Sequence, residues 1–321
     1  MTKFAAKFTL LFLVFIIIFS SCKKKNKDNW TDTLTSGFIY IASDENFKTL
    51  TDAAIQAFEA HSKEAFISPI YTTEKQAIHL LAEDTVRFAI ATRGLYSSEK
   101  ALLAERNMTV RQHVIAFDGI AVIMNRENSD SIISIPALKK ILTGKITEWS
   151  QLNSESRYGT IRTILDNKES GALRYVADSL LQGEKNSPNI YSQDSTLDVL
   201  ERVAEFPNAI GIIGVNVLGD ERSSTYLKYK DKIRIMRISK EDNATIENSY
   251  LPYPGDMAQD NYPLWRPVYV LISDPRIGLS TGFSQFLANE IGQKIIMQSG
   301  LLPISDPHVL KINVKRENPY K

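Results

Sequence analysis

The chain has 321 residues, of which 43% are hydrophobic and 23% charged, a globular composition that excludes a disordered or collagen-like polymer. Lys and Arg number 38 against 37 Asp and Glu, a net charge of +1, which leaves no basic excess of the kind duplex nucleic acid requires. A single Cys rules out a disulfide framework and any multi-cysteine zinc or iron–sulfur site.

The chain opens on an address. Lys3 and Lys7 precede the apolar run TLLFLVFIIIF, Thr9 to Phe19, which closes on Ser20-Ser21-Cys22. A positive start, a short apolar core and small residues behind it read as a secretory signal. The run is too short for a spanning helix, which needs about 20 apolar residues. Ser-Ser-Cys resembles a bacterial lipobox, in which Cys22 is acylated and becomes the mature N-terminus; Phe19 stands where Leu, Val or Ile is common. The expectation is a lipoprotein signal peptide over residues 1–21, the alternative being an ordinary signal or uncleaved anchor with an incidental Cys. Residues 23 to 36, KKKNKDNWTDTLTS, carry only Trp30 and Leu34 as sizeable apolar groups, so residues 22–36 read as a flexible tether.

Beyond the tether, strands and helices alternate. Phe38 to Ala42 (FIYIA), Phe66 to Tyr71 and Val86 to Ala91 (VRFAIA) are apolar runs fit for buried strands. Between them Leu50, Ala53, Ala54, Ala57 and Phe58, and then Ala77, Leu80 and Leu81, recur at helical spacing. This β-α-β-α-β order predicts an α/β fold with a parallel sheet covered by helices. Val114 to Phe117 and Ile120 to Met124 read as two runs broken by Asp118-Gly119. PALKKILTG from Pro136 predicts a helix with Pro in its first turn and Gly144 at its close. A strand at Ile161 to Leu165, a helix through Leu173 to Leu181, a helix through Leu197 to Ala204 and a strand at Ile210 to Ile213 follow. Last come a strand at Val268 to Ile272 and one long helix with Phe283, Phe286, Leu287 and Ile291 on a single face.

Several strand-to-helix turns carry small or hydroxylic residues: Ser43, Thr72-Thr73, Thr92 and Ser170-Gly171-Ala172. Each alone reads as a helix N-cap. Together, at the carboxyl ends of strands in both halves of an α/β chain, they point to an anion site. Two enzyme motifs compete weakly. Gly278-Leu279-Ser280-Thr281-Gly282 satisfies G-x-S-x-G, with Glu290, Asp306 and His308 in hydrolase order, but Asp274-Pro275-Arg276 separate it from the preceding strand. Ser97 to Lys100 contains S-x-x-K without its partner motifs, and the four histidines lack metal-binding spacing. No catalytic residue, metal or cofactor is expected.

Four longer stretches carry a resemblance: FDGIAVIMNREN with IPALKKILTGKITEWSQL (Phe117 to Asn128, Ile135 to Leu152), FPNAIGIIG (Phe206 to Gly214), YPLWRPVYV (Tyr262 to Val270) and FSQFLANEIGQKIIMQSGLLP (Phe283 to Pro303). Together they resemble the PstS-like family of periplasmic phosphate-binding proteins, the capture subunits of ABC importers, over about residues 37 to 304. The resemblance implies a two-lobe, type II periplasmic-binding fold, with the ligand clamped between lobes joined by crossing strands. Lobe 1 would comprise residues 37–117 and 250–321 and lobe 2 residues 118–249, with Asp118-Gly119 at the first crossing. It further implies a phosphate or related oxyanion held by Ser43, Asn46, Phe47, Thr72, Thr73, Thr92, Arg93, Ser170, Gly171 and Ala172. In the fourth loop the family's R-x-D-x-S-G-T becomes Asp166 to Ala172, with Asp166 in place of Arg, Lys168 in place of Asp and Ala172 in place of Thr. Arg93 is then the one strong cation expected, unless it pairs with Asp166 or Glu169. The implied partners are ABC permease subunits and a membrane reached through the Cys22 lipid, on the periplasmic side of a bacterial envelope; a monomer is expected and no nucleic acid. A sensor or adhesin lipoprotein on the same fold is the alternative, and a serine esterase the remote one.

Overall fold

The apolar run at Phe38 forms the middle of strand β1 (Ser36–Asp44), and the chain alternates from there as its patterning predicts: α1 (Lys48–His61), β2 (Glu64–Thr72), α2 (Glu74–Ala82) and β3 (Phe88–Ala91). The computed structural model describes residues 32–185 and 187–305; Cys22, Trp30, Asp306 and His308 lie outside the described residues. Then come α3 (Ser97–Glu105), β4 (Arg111–Asn125), β5 (Ile132–Ser134), α4 (Ile135–Leu142), β6 (Arg162–Leu165), α5 (Gly171–Tyr175), β7 (Ile190–Ser192), α6 (Thr196–Glu205) and β8 (Ala209–Gly214). The remainder is α7 (Asn216–Gly219), α8 (Ser224–Tyr229), β9 (Ile233–Ile235), β10 (Arg237–Ser239), β11 (Ser249–Tyr250), α9 (Pro254–Ala258), β12 (Trp265–Ile272), α10 (Leu279–Ala288), α11 (Glu290–Gln298) and β13 (Leu302–Pro303).

β1 pairs in parallel with β2 and β3, and β6 in parallel with β7 and β8. Two antiparallel strands, β12 and β4, stand between these parallel groups, giving the order β2-β1-β3-β12-β4-β8-β6-β7. The fold is the two-lobe α/β arrangement, and β4 shows how the lobes are joined. Instead of two runs broken at Asp118-Gly119, it is one 15-residue strand. Ile115 and Ala116 pack with Phe58, Phe88 and Phe283, whereas Ile120, Val122 and Met124 pack with Leu138, Trp149 and Ile212. A strand needs no turn to change cores, because its pleat continues while its neighbours change.

β12 brings the chain back. Met257, Tyr262 and Leu264 pack in the second core and Val268, Val270 and Ile272 in the first. The apolar packing thus changes lobes at Trp265–Pro267. In the antiparallel register of the two crossing strands, Arg266 stands opposite Asp118.

Two helices differ from expectation. The long C-terminal helix is two, because Asn289 leaves the helical path at ψ 176 and its side chain accepts the N–H of Gly292, 3.0 Å away, starting α11. Ile291 is consequently 39% exposed rather than on the buried face of Phe283. The helix predicted through Leu173 to Leu181 is α5 followed by a π-helical stretch, Val176–Leu181, which still buries Val176, Leu180 and Leu181. The PALKKILTG helix forms as read: Ser134 accepts the N–H of Ala137, and Gly144 closes it at φ +76°.

Candidate functional site

The carboxyl ends of β1, β3 and β6 meet at the seam between the lobes, beside the β4–β12 crossing. Each ends on a polar residue that the fold buries: Asp44 after β1's apolar stretch, Thr92 after β3 and Asp166 after β6. From the crossing, Arg266 donates through Nε and Nη2 to Asp118 Oδ2 at 3.0 and 2.9 Å. The two side chains are 1% and 0% exposed. The third guanidinium nitrogen, Arg266 Nη1, has no hydrogen-bond partner among the described residues, yet a Cβ on Gly171 of the second lobe would lie 2.8 Å from it. A desolvated cation with an unused N–H, facing a glycine across an interlobe seam, is a ready oxyanion donor.

Carboxylates surround it. Asp44 Oδ1 accepts the N–H of Asn46 at 3.0 Å, while its Oδ2 is buried with no partner among the described residues. Burial first, and then the charge of Glu74, push the Asp44 carboxyl from an ordinary 3.8 up to about 7, against the pull of Arg266. Glu74 sits at the start of α2, where Thr92 donates to Oε2 through its N–H at 2.7 Å and through its hydroxyl. Arg174, from the second lobe, donates through Nε to Glu74 Oε1 at 2.6 Å. Burial works to raise the Glu74 carboxyl, but the charge and hydrogen bond of Arg174, with Arg266 behind them, hold it below the usual value.

Other groups tie the lobes together. Thr196 Oγ1, with one proton to give, lies 2.6 Å from Asn46 Oδ1 and 2.7 Å from Asp166 Oδ2. Asn216 Nδ2 donates to the carbonyl of Asn46. At the rim, Glu169 accepts from Lys75 Nζ at 2.8 Å and from Thr73 Oγ1 at 3.3 Å. That rim pair is exposed and adds little.

The structure brings Asn46, Thr73, Thr92, Ser170, Gly171 and Ala172 to this seam or its rim. Thr92 is engaged by Glu74, and Ser170 accepts the N–H of Leu173, 3.2 Å away. Thr72 closes β2 opposite Asp44. Ser43 turns toward its own lobe, 3.2 Å from Thr51 Oγ1, and the Phe47 ring is part of the first core. Arg93 pairs with neither Asp166 nor Glu169. Its guanidinium makes a two-pronged bond to Glu99 at 2.7 and 2.8 Å and lies over the Tyr96 ring. The cations that reach the seam are Arg266 and Arg174, both of which sequence reasoning passed over, although Arg266 lies within YPLWRPVYV as Asp118 lies within FDGIAVIMNREN. The signal was present: two strand residues of opposite charge, each inside an apolar stretch.

Ser280 of the G-x-S-x-G run is 0% exposed within α10, so its hydroxyl is not the exposed tip of a strand-to-helix elbow. Among the described residues, no group of three His, Cys, Asp or Glu is placed to hold a metal ion. Among them, too, no helix is long and apolar enough to cross a membrane.

Known proteins share this architecture. The phosphate-binding protein PstS of Bacillus subtilis (strain 168) is 25% identical over 310 residues, covering 94% of this chain and 95% of that one. A protein from Clostridium perfringens, solved with bound phosphate, superposes with a TM-score of 0.69 at 20% identity, covering 84% of this chain and all of that one. An ABC-type phosphate transport receptor from Vibrio cholerae gives a TM-score of 0.61 at 21% identity, over 82% of this chain and 99% of that one. The model of the PBP superfamily domain matches residues 28–290, and with two α/β lobes joined by crossing strands around a buried polar seam, the chain belongs to the PBP superfamily.

Proposed function

We propose that this chain is the substrate-binding protein of an ABC importer, capturing phosphate or a related small oxyanion between its lobes. The unused Nη1 of the buried Arg266 at the seam is the observation that carries the reading, and the names of its relatives agree with it. Ser170, Gly171, Ala172, Asn46, Thr72 and Thr73 would add hydroxyl and main-chain donors from both lobes. A ligand touching both lobes favours their closed arrangement by its differential affinity for it. On this reading the protein is a monomeric binding subunit that docks on permease subunits and carries no catalytic group.

Calorimetric titration of the purified protein with phosphate, sulfate and methylphosphonate tests this: saturable binding of at least one oxyanion is expected. Failure of all three would move the assignment to a sensor or adhesin. The same titrations from about pH 6 to about pH 8 bracket the Asp44 carboxyl, which loses its proton near 7. Above that value the seam gains a negative charge, so affinity is expected to fall as pH rises. Asp44→Asn, measured in the same buffers so that the ligand's own titration cancels, is expected to flatten that fall; equal slopes would take Asp44 out of the site.

The Ser20-Ser21-Cys22 motif supports the further reading that the protein is held on the outer side of the cytoplasmic membrane or in the outer membrane through a lipid on Cys22. Metabolic palmitate labelling is expected in the wild type and absent in Cys22→Ser. Labelling of both would disprove the anchor.

A further inference from the structure

The donors around Glu74 are of the kinds an oxyanion takes: a main-chain N–H, a hydroxyl and a guanidinium. A main-chain N–H and a hydroxyl from the end of a strand, both of Thr92, converge on Oε2, and the Arg174 guanidinium converges on Oε1 from the opposite lobe. Arg174 Nη2 also donates to the Thr92 hydroxyl oxygen at 3.1 Å and to its carbonyl at 3.2 Å. The Thr92 hydroxyl therefore accepts from Arg174 and gives its one proton to Glu74, a consistent chain of donors. Glu74 is 2% exposed. A Cβ on Gly171 would lie 2.9 Å from Glu74 Oε2 and 2.8 Å from Arg266 Nη1, so this carboxylate and the unused guanidinium N–H border the same small space. A carboxylate and an incoming oxyanion compete for the same donors and repel one another in a desolvated seam.

We propose that Glu74 is a specificity-determining residue acting as an internal anion: it occupies the Thr92 and Arg174 donors and thereby limits the negative charge of the oxyanion the seam accepts. The inference rests on the oxyanion reading and adds to it that Glu74 restrains the site. The rival account, an interlobe ion pair that only holds the lobes together, predicts the opposite sign. Removing a strap loosens closure and weakens the ligand; removing a competitor frees Thr92 and Arg174 for the ligand and strengthens it.

The test is calorimetric titration of inorganic phosphate into the wild type, Glu74→Gln and Glu74→Ala, with circular dichroism to establish the fold of each. Gln keeps the size and an acceptor for Thr92 but removes the charge that repels the ligand and holds Arg174, and Ala frees both donors and clears the space. Both are expected to bind phosphate at least tenfold more tightly than the wild type. Binding by the wild type with equal or weaker binding by the folded variants would overturn this inference and leave the oxyanion reading standing. Binding by none of the three would overturn both.

Discussion

Replacing Arg266 by Met is expected to lower the free energy of unfolding by about 3–5 kcal/mol, because it leaves the Asp118 carboxylate in the interior with its charge uncompensated. Asp118 is 0% exposed and receives both Arg266 bonds on one oxygen, so no water approaches to replace the guanidinium. The cost should lie in the stranded charge rather than in a strong net attraction, since buried pairs repay little more than their desolvation. Asp118→Leu combined with Arg266→Met is therefore expected to recover most of the loss, giving a large favourable coupling in urea unfolding. A single-variant cost under about 1 kcal/mol, or a double variant no better than the single, would show that the pair is not desolvated as described. The double variant should remain unable to hold an oxyanion, which separates the stabilising role of Arg266 from its role toward the ligand.

Gly171→Ala is expected to weaken oxyanion binding by about tenfold or more, that is by about 1.4 kcal/mol or more, with little loss of stability. Its φ is not in the left-handed region, so the backbone itself does not require glycine. The constraint is contact: the added methyl would stand 2.6 Å from Thr92 Oγ1, 2.8 Å from Arg266 Nη1 and 2.9 Å from Glu74 Oε2. Thr92 and Glu74 belong to the first lobe and Gly171 to the second, so separation of the lobes relieves the clash and neither core need be disturbed. Small-angle scattering in saturating ligand should then give a larger radius for Gly171→Ala than for the wild type. An unchanged radius with unchanged affinity would mean that the seam has slack at this point.

Much of the fold was legible in the sequence because parallel strands buried on both faces read as unbroken apolar runs, as at Phe88 to Ala91 and Ile210 to Ile213; the run Phe38 to Ala42, expected to be buried, instead exposes Phe38 and Tyr40 on one face. The crossing was legible only in part. Asp118-Gly119 looked like a break because a charge inside an apolar run ordinarily marks a loop, and only the opposing Arg266 lets the strand continue through it. The site was harder still. Glu74 and Arg174 lie 100 positions apart and Asp118 and Arg266 148 apart, so none of these four shows its partner locally. Arg93 failed to reach the seam for a local reason: Glu99, six residues on at the start of α3, already accepts the N–H of Tyr96 and sits where the guanidinium can close on it. Asn289 is the converse case, a cap signature in plain view that a continuous apolar face concealed.

The position of Arg266 on the crossing itself has a kinetic meaning. Points on a pivot travel least when the two arms swing, so Arg266 keeps nearly the same aim whether the lobes stand apart or together, whereas Gly171 and Ser170 travel with the second lobe. An arriving oxyanion would then meet its strongest partner already oriented, and the second-lobe donors would reach it only as the lobes come together. First contact and retention are thereby assigned to different parts of the molecule. Gly171→Ala should accordingly leave the association rate near that of the wild type and express its whole penalty as faster escape, a division that stopped-flow measurements would read directly.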